Sequence, residues 1–333
     1  MNAVAALTVL EFVRHEDGVW NLPPALLERL AADFPAVRFQ SPRDRAEADR
    51  LLPDAEVVFG WAVRPDNFAS AQRLRWIQVS AAGVGSFLFP ALIESPVVLT
   101  NGRGLHAVSM AEHTLGVILS FVRKLHLARD AQQQRAWRQR ELWSDPPPIG
   151  ELAGGTLGLV GFGAVGRAIA ERARALGLRV VTVRRHPELP PDPAHEQWGS
   201  ERLPELLGQA DWLVLVAALT PETRGLIGRD ELRRMRAGAV LVYLGLGHLV
   251  DAPALIDSLE QGGIAGAALD VTEHEPLDPA SPLWRMPQVI LTPHISGLGP
   301  RYWERSVELF ARNLRAFLGG GPLVNVVDKR AGY

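Results

Sequence analysis

Three stretches of this chain bring together residue types that chemistry needs. The first is Gly161-Phe162-Gly163-Ala164-Val165-Gly166, which follows the apolar run TLGLV and opens the amphipathic run RAIAERARAL. In a strand, turn and helix of this kind the first glycine permits the tight turn and the second lets a pyrophosphate approach the backbone. The third lets helix and strand pack closely, with the anion at the helix N-terminus. The second stretch is Val183-Arg184-Arg185-His186, at the end of the next apolar run. Chains that bind NAD usually place Asp or Glu there to accept from the ribose 2′-hydroxyl, whereas two guanidiniums suit a 2′-phosphate. NADP is therefore expected ahead of NAD. The third group is Asp270, Glu275 and His294, with Asp270 closing AGAALD and His294 closing VILTPH. Residues at the carboxyl ends of strands face the ligand crevice of an open α/β sheet. A His held by a carboxylate is suited to giving a proton to a carbonyl oxygen near neutral pH.

Such residues need a frame, and the pattern of the chain supplies one. Short Val- and Leu-rich runs alternate with amphipathic stretches and Gly/Pro punctuation, which predicts an α/β class with parallel sheets wound by helices. Strands are expected over 4–12, 37–40, 57–59, 77–79 and 97–100, with helices such as 24–34 between them. A single long helix over 109–137 is suited to a dimer interface, and the Pro-rich SDPPPIG at 144–150 cannot be helix interior. A second, six-strand doubly wound series follows over 156–160, 179–183, 212–216, 239–243, 265–269 and 289–291. A last helix at 302–318 precedes GGGPLVNVV, which reads as a tail returning to the first series.

Composition narrows the partners. The 333 residues suggest roughly two domains, and 35 Lys plus Arg against 37 Asp plus Glu give a net charge of −2, with no pull toward nucleic acid or anionic membrane. The chain has no cysteine, which removes disulfides, thiolate ligands and a Cys nucleophile and fits a reducing cytoplasm. The nine histidines show no paired-ligand spacing, so no metal site is expected. The N-terminal MNAVAALTVLEF lacks a basic leader region and reads as a first strand rather than a signal peptide, and no apolar run is long enough to span a bilayer.

The wording around the motifs resembles the D-2-hydroxyacid dehydrogenases, the family of phosphoglycerate dehydrogenase, glyoxylate/hydroxypyruvate reductases and formate dehydrogenase. The matching segments run nearly the length of the chain: IQVSAAGVG, TNGRGLHAVSMAEHTLG, GTLGLVGFGAVGRAIA, LTPETRGLI, LVDAPALIDSLEQGGIAGAALDV, EHEPLDPASPLW and VILTPHISG. The resemblance implies a Rossmann cofactor domain at 101–297 inserted in a flavodoxin-like α/β substrate domain made of 1–100 and 298–333. It implies that His294 is the acid/base, that Glu275 orients it, and that Asp270 sits by the nicotinamide. Thr220 and Thr223 join the cofactor contacts, and backbone N–H groups of Ala82, Gly83 and Val84 receive the substrate carboxylate. The implied reaction interconverts 2-oxo acids and D-2-hydroxy acids, small ones such as glyoxylate or hydroxypyruvate, in a cytoplasmic homodimer.

One departure stands out. The family's Asn-x-x-Arg-Gly, whose Arg clamps the substrate carboxylate, falls here on Tyr243, Leu246 and Gly247, so only the glycine is kept. A leucine offers neither donor nor charge. The alternative reading is therefore a catalytically impaired NADP(H)-binding protein that acts through dimerisation or a partner. Arg103 and Arg301 are the nearest replacement cations by chain position.

Overall fold

The computed structural model describes residues 6–14, 18, 20–188, 193–245 and 247–332. Positions 4 and 5 of the expected first strand, and Leu246, lie outside the described residues. The chain divides into two compact units, Met1–Leu105 with Gly299–Tyr333, and His106–Leu298.

The first unit holds β1 (Leu7–Phe12), α1 (Pro24–Asp33), β2 (Val37–Gln40), α2 (Arg45–Leu51), β3 (Val57–Gly60), β4 (Trp76–Gln78), α3 (Pro90–Glu94) and β5 (Val98–Thr100). All five strands are parallel in the order β2-β1-β3-β4-β5, the flavodoxin-like winding. The central strand VVFG is buried at every residue, because helices cover both faces of the sheet. One cover comes from the far end of the chain: the helix Tyr302–Leu318 lays Phe310 flat on Phe59 and Trp76, with ring centroids 4.3 and 5.1 Å apart. The tail then bridges Val326 to Thr100 as the sequence suggests. Beyond it Lys329 Nζ donates to the carbonyls of Leu92, Ser95 and Val97 at 2.8, 2.7 and 3.0 Å.

The second unit begins with α4 (Ala107–Val122), α5 (Leu125–Gln133) and α6 (Gln139–Ser144). It continues with β6 (Thr156–Val160), α7 (Ala164–Ala175), β7 (Arg179–Val183), β8 (Glu196–Trp198), α8 (Leu203–Gln209) and β9 (Trp212–Leu215). After these come α9 (Arg229–Arg234), β10 (Val240–Tyr243), α10 (Ala252–Glu260), β11 (Gly266–Leu269) and β12 (Val289–Leu291). Its parallel sheet runs β12-β11-β10-β9-β6-β7-β8, a doubly wound Rossmann order extended by one strand.

Two expectations are corrected here. The sheet has seven strands, not six: β8 is a three-residue edge strand, EQW, whose polar residues carry no strand signal of their own and which forms by pairing with β7. The long helix over 109–137 is two helices, broken at Lys124, which adopts a left-handed φ of 53°. Lys124 is buried there, and its Nζ donates to the Asp145 carbonyl at 2.7 Å. A buried ammonium needs such an acceptor, and hydrophobic periodicity does not register a left-handed residue.

Candidate active site

The glycine loop shows why each glycine stands where it does. Gly161 has φ +98° and donates its N–H to the Val183 carbonyl at 2.9 Å, and a Cβ on it would meet the Ala217 backbone at 2.7 Å. On Gly166, the third residue of α7, a Cβ would meet the Gly161 carbonyl oxygen at 2.6 Å. Gly163 differs: it caps α7 with no side-chain hydrogen bond, and space around its missing Cβ is open. Tight turn, open cap and close helix packing together fit a pyrophosphate on the exposed N–H groups of α7. Ala164 and Val165 supply the first of those groups, and Phe162 is buried beneath the turn.

Beside this loop the two predicted arginines behave differently. Arg184 is half-buried, its backbone N–H donates to Trp198 O at 3.0 Å and its Nη1 reaches Gln197 Oε1 at 3.4 Å, so β8 holds it. Burial first, and then the charge of Arg167, push its pKa below the usual value, with Glu188 opposing. Arg185 is exposed and pairs with Glu222 at 3.4 Å. Glu222 also accepts from Thr220 Oγ1 at 2.7 Å. The Thr220 hydroxyl first, then Glu222's own backbone and the charge of Arg185, hold the Glu222 carboxyl below its ordinary pKa. Thr223 Oγ1 accepts from Thr220 N and donates to Ala218 O, both at 2.7 to 2.8 Å, so the two threonines brace their own turn.

At the other strand ends the structure brings His294, Glu275 and Asp270 together. His294 Nδ1 lies 2.7 Å from Glu275 Oε2, with both side chains partly exposed. His294 takes a left-handed φ of 54°, a strained state for a residue with a side chain. Asp270 holds it there. Its side chain is buried, Oδ1 accepts from Thr292 Oγ1 and Ile295 N at 2.5 and 3.0 Å, and Oδ2 accepts from Ser296 N at 2.9 Å. Burial alone would raise the Asp270 pKa, but the hydrogen bonds from Ser296, Thr292 and Ile295 outweigh it and hold it below the ordinary value. Its main-chain carbonyl accepts from His294 N at 2.9 Å. Sequence reasoning missed His113, whose Nε2 sits 3.3 Å from Thr292 Oγ1 and 3.9 Å from Asp270 Oδ1, and whose pKa burial lowers.

Gly247 has a structural reason: a Cβ would meet Thr272 O at 2.1 Å, in the segment that leads to Glu275. Tyr243 is buried, its hydroxyl accepts from Leu249 N at 3.0 Å, and burial pushes its pKa up to about 12. In the first unit, Ala82 and Gly83 are exposed and the Val84 side chain is buried. Among the described residues the N–H groups of these three meet no acceptor. The loop is stitched to the next turn by Asn101 Nδ2 on Ala82 O at 2.7 Å and Gly102 N on Ala81 O at 2.8 Å. Arg103 on that turn is exposed, while Arg301 pairs with Glu304 at 3.2 Å.

A Rossmann sheet with a glycine loop and a His–carboxylate pair at its strand ends defines a nicotinamide-dependent dehydrogenase. Comparison with known proteins carries this further. Residues 115–296 match the family model for the NAD binding domain of D-isomer specific 2-hydroxyacid dehydrogenases. The chain is 35% identical over 271 residues to a glyoxylate reductase of Aeropyrum pernix, covering 79% of each. It is also similar in structure to an NADPH-dependent glyoxylate/hydroxypyruvate reductase of Sinorhizobium meliloti solved with NADP and sulfate. That likeness has TM-score 0.80 and 27% identity and covers 98% of this chain and 100% of the other. A D-isomer specific 2-hydroxyacid dehydrogenase of Xanthobacter autotrophicus, solved with NADPH and MES, gives TM-score 0.79 at 26% identity, over 99% and 100%. The chain belongs to the D-isomer specific 2-hydroxyacid dehydrogenase family. Among the described residues no helix is long and apolar enough to cross a membrane.

Proposed function

We propose that the protein reduces small 2-oxo acids of the glyoxylate or hydroxypyruvate kind to D-2-hydroxy acids with NADPH. The observation that carries this reading is the His294–Glu275 pair at 2.7 Å, set at the carboxyl end of β12 in the same parallel sheet whose β6 ends in the glycine loop. When bound, a reduced nicotinamide supplies a hydride for the carbonyl carbon. Glu275 accepts from Nδ1–H and so leaves Nε2 of His294 to give a proton to the carbonyl oxygen. The unit His106–Leu298 serves as the cofactor domain, and the N–H groups of Ala82, Gly83 and Val84 in the other unit receive the substrate carboxylate. The relatives named above support the substrate class, and the cofactors bound in the two solved neighbours support NADP. A homodimer belongs to this reading: Trp137 and Trp143, 92% and 71% exposed near α6, offer it an apolar face. So does a cytoplasmic setting, which suits a chain without cysteine.

The test is NADPH oxidation with a panel of 2-oxo acids, on wild type and His294→Ala. Wild type should turn over glyoxylate or hydroxypyruvate. The variant should lose about 10²- to 10⁴-fold in kcat, the usual share of a general acid, with NADPH affinity unchanged. Binding of NADPH without turnover of any 2-oxo acid would instead favour the impaired-enzyme reading, which the reductase relatives do not favour.

A further inference from the structure

The glycine loop carries a cation that the strand-end motif does not announce. Arg167 directly follows the last glycine and lies in the first turns of α7. Its guanidinium carbon stands 4.9 Å from the centroid of the Phe162 ring. Arg184, arriving from the end of β7, stands 5.9 Å from the same centroid. Two like charges thus share one buried aromatic ring, and the Arg167 charge contributes to the lowered pKa of Arg184. The ring's negative face draws both guanidiniums to one place, where an anion bound between them would offset their mutual repulsion. The hydrogen-bond partner of Arg184 here is the neutral Gln197, so no ion pair competes for its charge within that contact. Arg185, by contrast, is already paired with Glu222, itself tied to Thr220.

We propose that Arg167 and Arg184, steadied by Phe162, form the seat of the adenosine 2′-phosphate, and that Arg185 instead fastens the 218–223 turn through Glu222. The site accepts a phosphomonoester dianion, which two forked guanidiniums match geometrically. This inference rests on the NADP reading and adds to it a residue from α7 and the exclusion of Arg185. It also gives β8 a task, since Gln197 on that strand holds Arg184 in place.

Equilibrium binding tests it on the intact protein, by fluorescence titration with NADPH and NADH and by competition with adenosine 2′-monophosphate and 5′-monophosphate. Arg167→Gln and Arg184→Gln should each weaken NADPH and the 2′-monophosphate about tenfold or more, as loss of a charge-assisted contact does, and leave NADH within about twofold. Arg185→Gln should change NADPH by less than about threefold, since exposed pairs contribute little. If Arg167→Gln weakens NADPH and NADH alike, or neither, the inference falls. If Arg184→Gln alone shows the NADPH effect, it falls while the NADP reading stands. Equal affinity of wild type for NADPH and NADH would remove both.

Discussion

If Leu246 stands where the resemblance puts the family's Arg, its effect is best measured by restoring that Arg. A guanidinium there supplies a charge-assisted, bidentate partner for a substrate carboxylate, and removal of one such preorganised donor typically costs about 10² to 10³ in rate. Leu246→Arg should therefore raise turnover of glyoxylate about 10²-fold, with a lower KM, in a steady-state assay. No gain with NADPH still bound would mean that another group holds the carboxylate, and the exposed Arg103 is the first to examine. Tyr243 should stay in that experiment. A Tyr243→Asn change made to copy the family would strip a buried hydroxyl from Leu249 N–H and loosen the turn under test. At this scale the sequence was informative where one residue meets its own backbone. Gly161 and Gly166 are legible because a positive φ or a close approach is a local demand. Arg167 was not, since its neighbours Phe162 and Arg184 meet only once β6, α7 and β7 are assembled.

Between residue and sheet lies the segment from Thr292 to Ser296, which carries His294 and which Asp270 ties down. The sequence placed Asp270 and His294 at strand ends correctly but could not show that one carboxylate spends both oxygens on the other's segment, because those contacts cross from β11 to the end of β12. The same limit hid β8 and the break at Lys124, where pairing and a buried ammonium decide the backbone rather than periodicity. Asp270→Asn should expose the anchor's worth. An amide has one oxygen where the carboxylate has two, so the half-buried N–H of Ile295 or the buried N–H of Ser296 loses its acceptor, at about 1–3 kcal/mol. The pH dependence has a defined sign. A carboxyl whose folded pKa is depressed contributes stability above its ordinary value near 3.8 and loses it as pH falls through the depressed one. Urea unfolding of wild type and Asp270→Asn should thus show a gap that is constant at pH 5 to 7 and narrows below about pH 4. A gap that stayed the same at every pH would mean that the charge of Asp270 is not what anchors the segment.

Across the whole molecule, the alternation of apolar runs revealed two wound sheets, and the structure adds how independently each is built. Among the described residues every hydrophobic cluster lies within one unit: two are made of residues from His106–Leu298 alone, and two from the remaining segments, including Val327 and the helix residues Val307, Phe310 and Leu314. The consequences for the two units are opposite. The unit His106–Leu298 is one continuous span with a complete sheet and both faces of its core, so that span expressed alone should fold, melt cooperatively and bind NADPH. Since ligand that binds only the folded state stabilises it by RT ln(1 + [L]/Kd), NADPH at about 100 times its Kd should add about 2.7 kcal/mol and raise the melting midpoint by several degrees. The first unit has no such autonomy. Phe310 is fully buried and stacks on Phe59 and Trp76, so removing residues 299–333 takes away part of its core, and Phe310→Ala alone should cost about 3–5 kcal/mol. Calorimetry of three chains decides the matter: full length, span 106–298, and a chain ending at 298. The NADPH-dependent transition should survive in all three, and the transition that NADPH does not move should appear in the full-length chain alone. Loss of the NADPH-dependent transition from the isolated span would show that its core, closed as it is, cannot stand without the other unit.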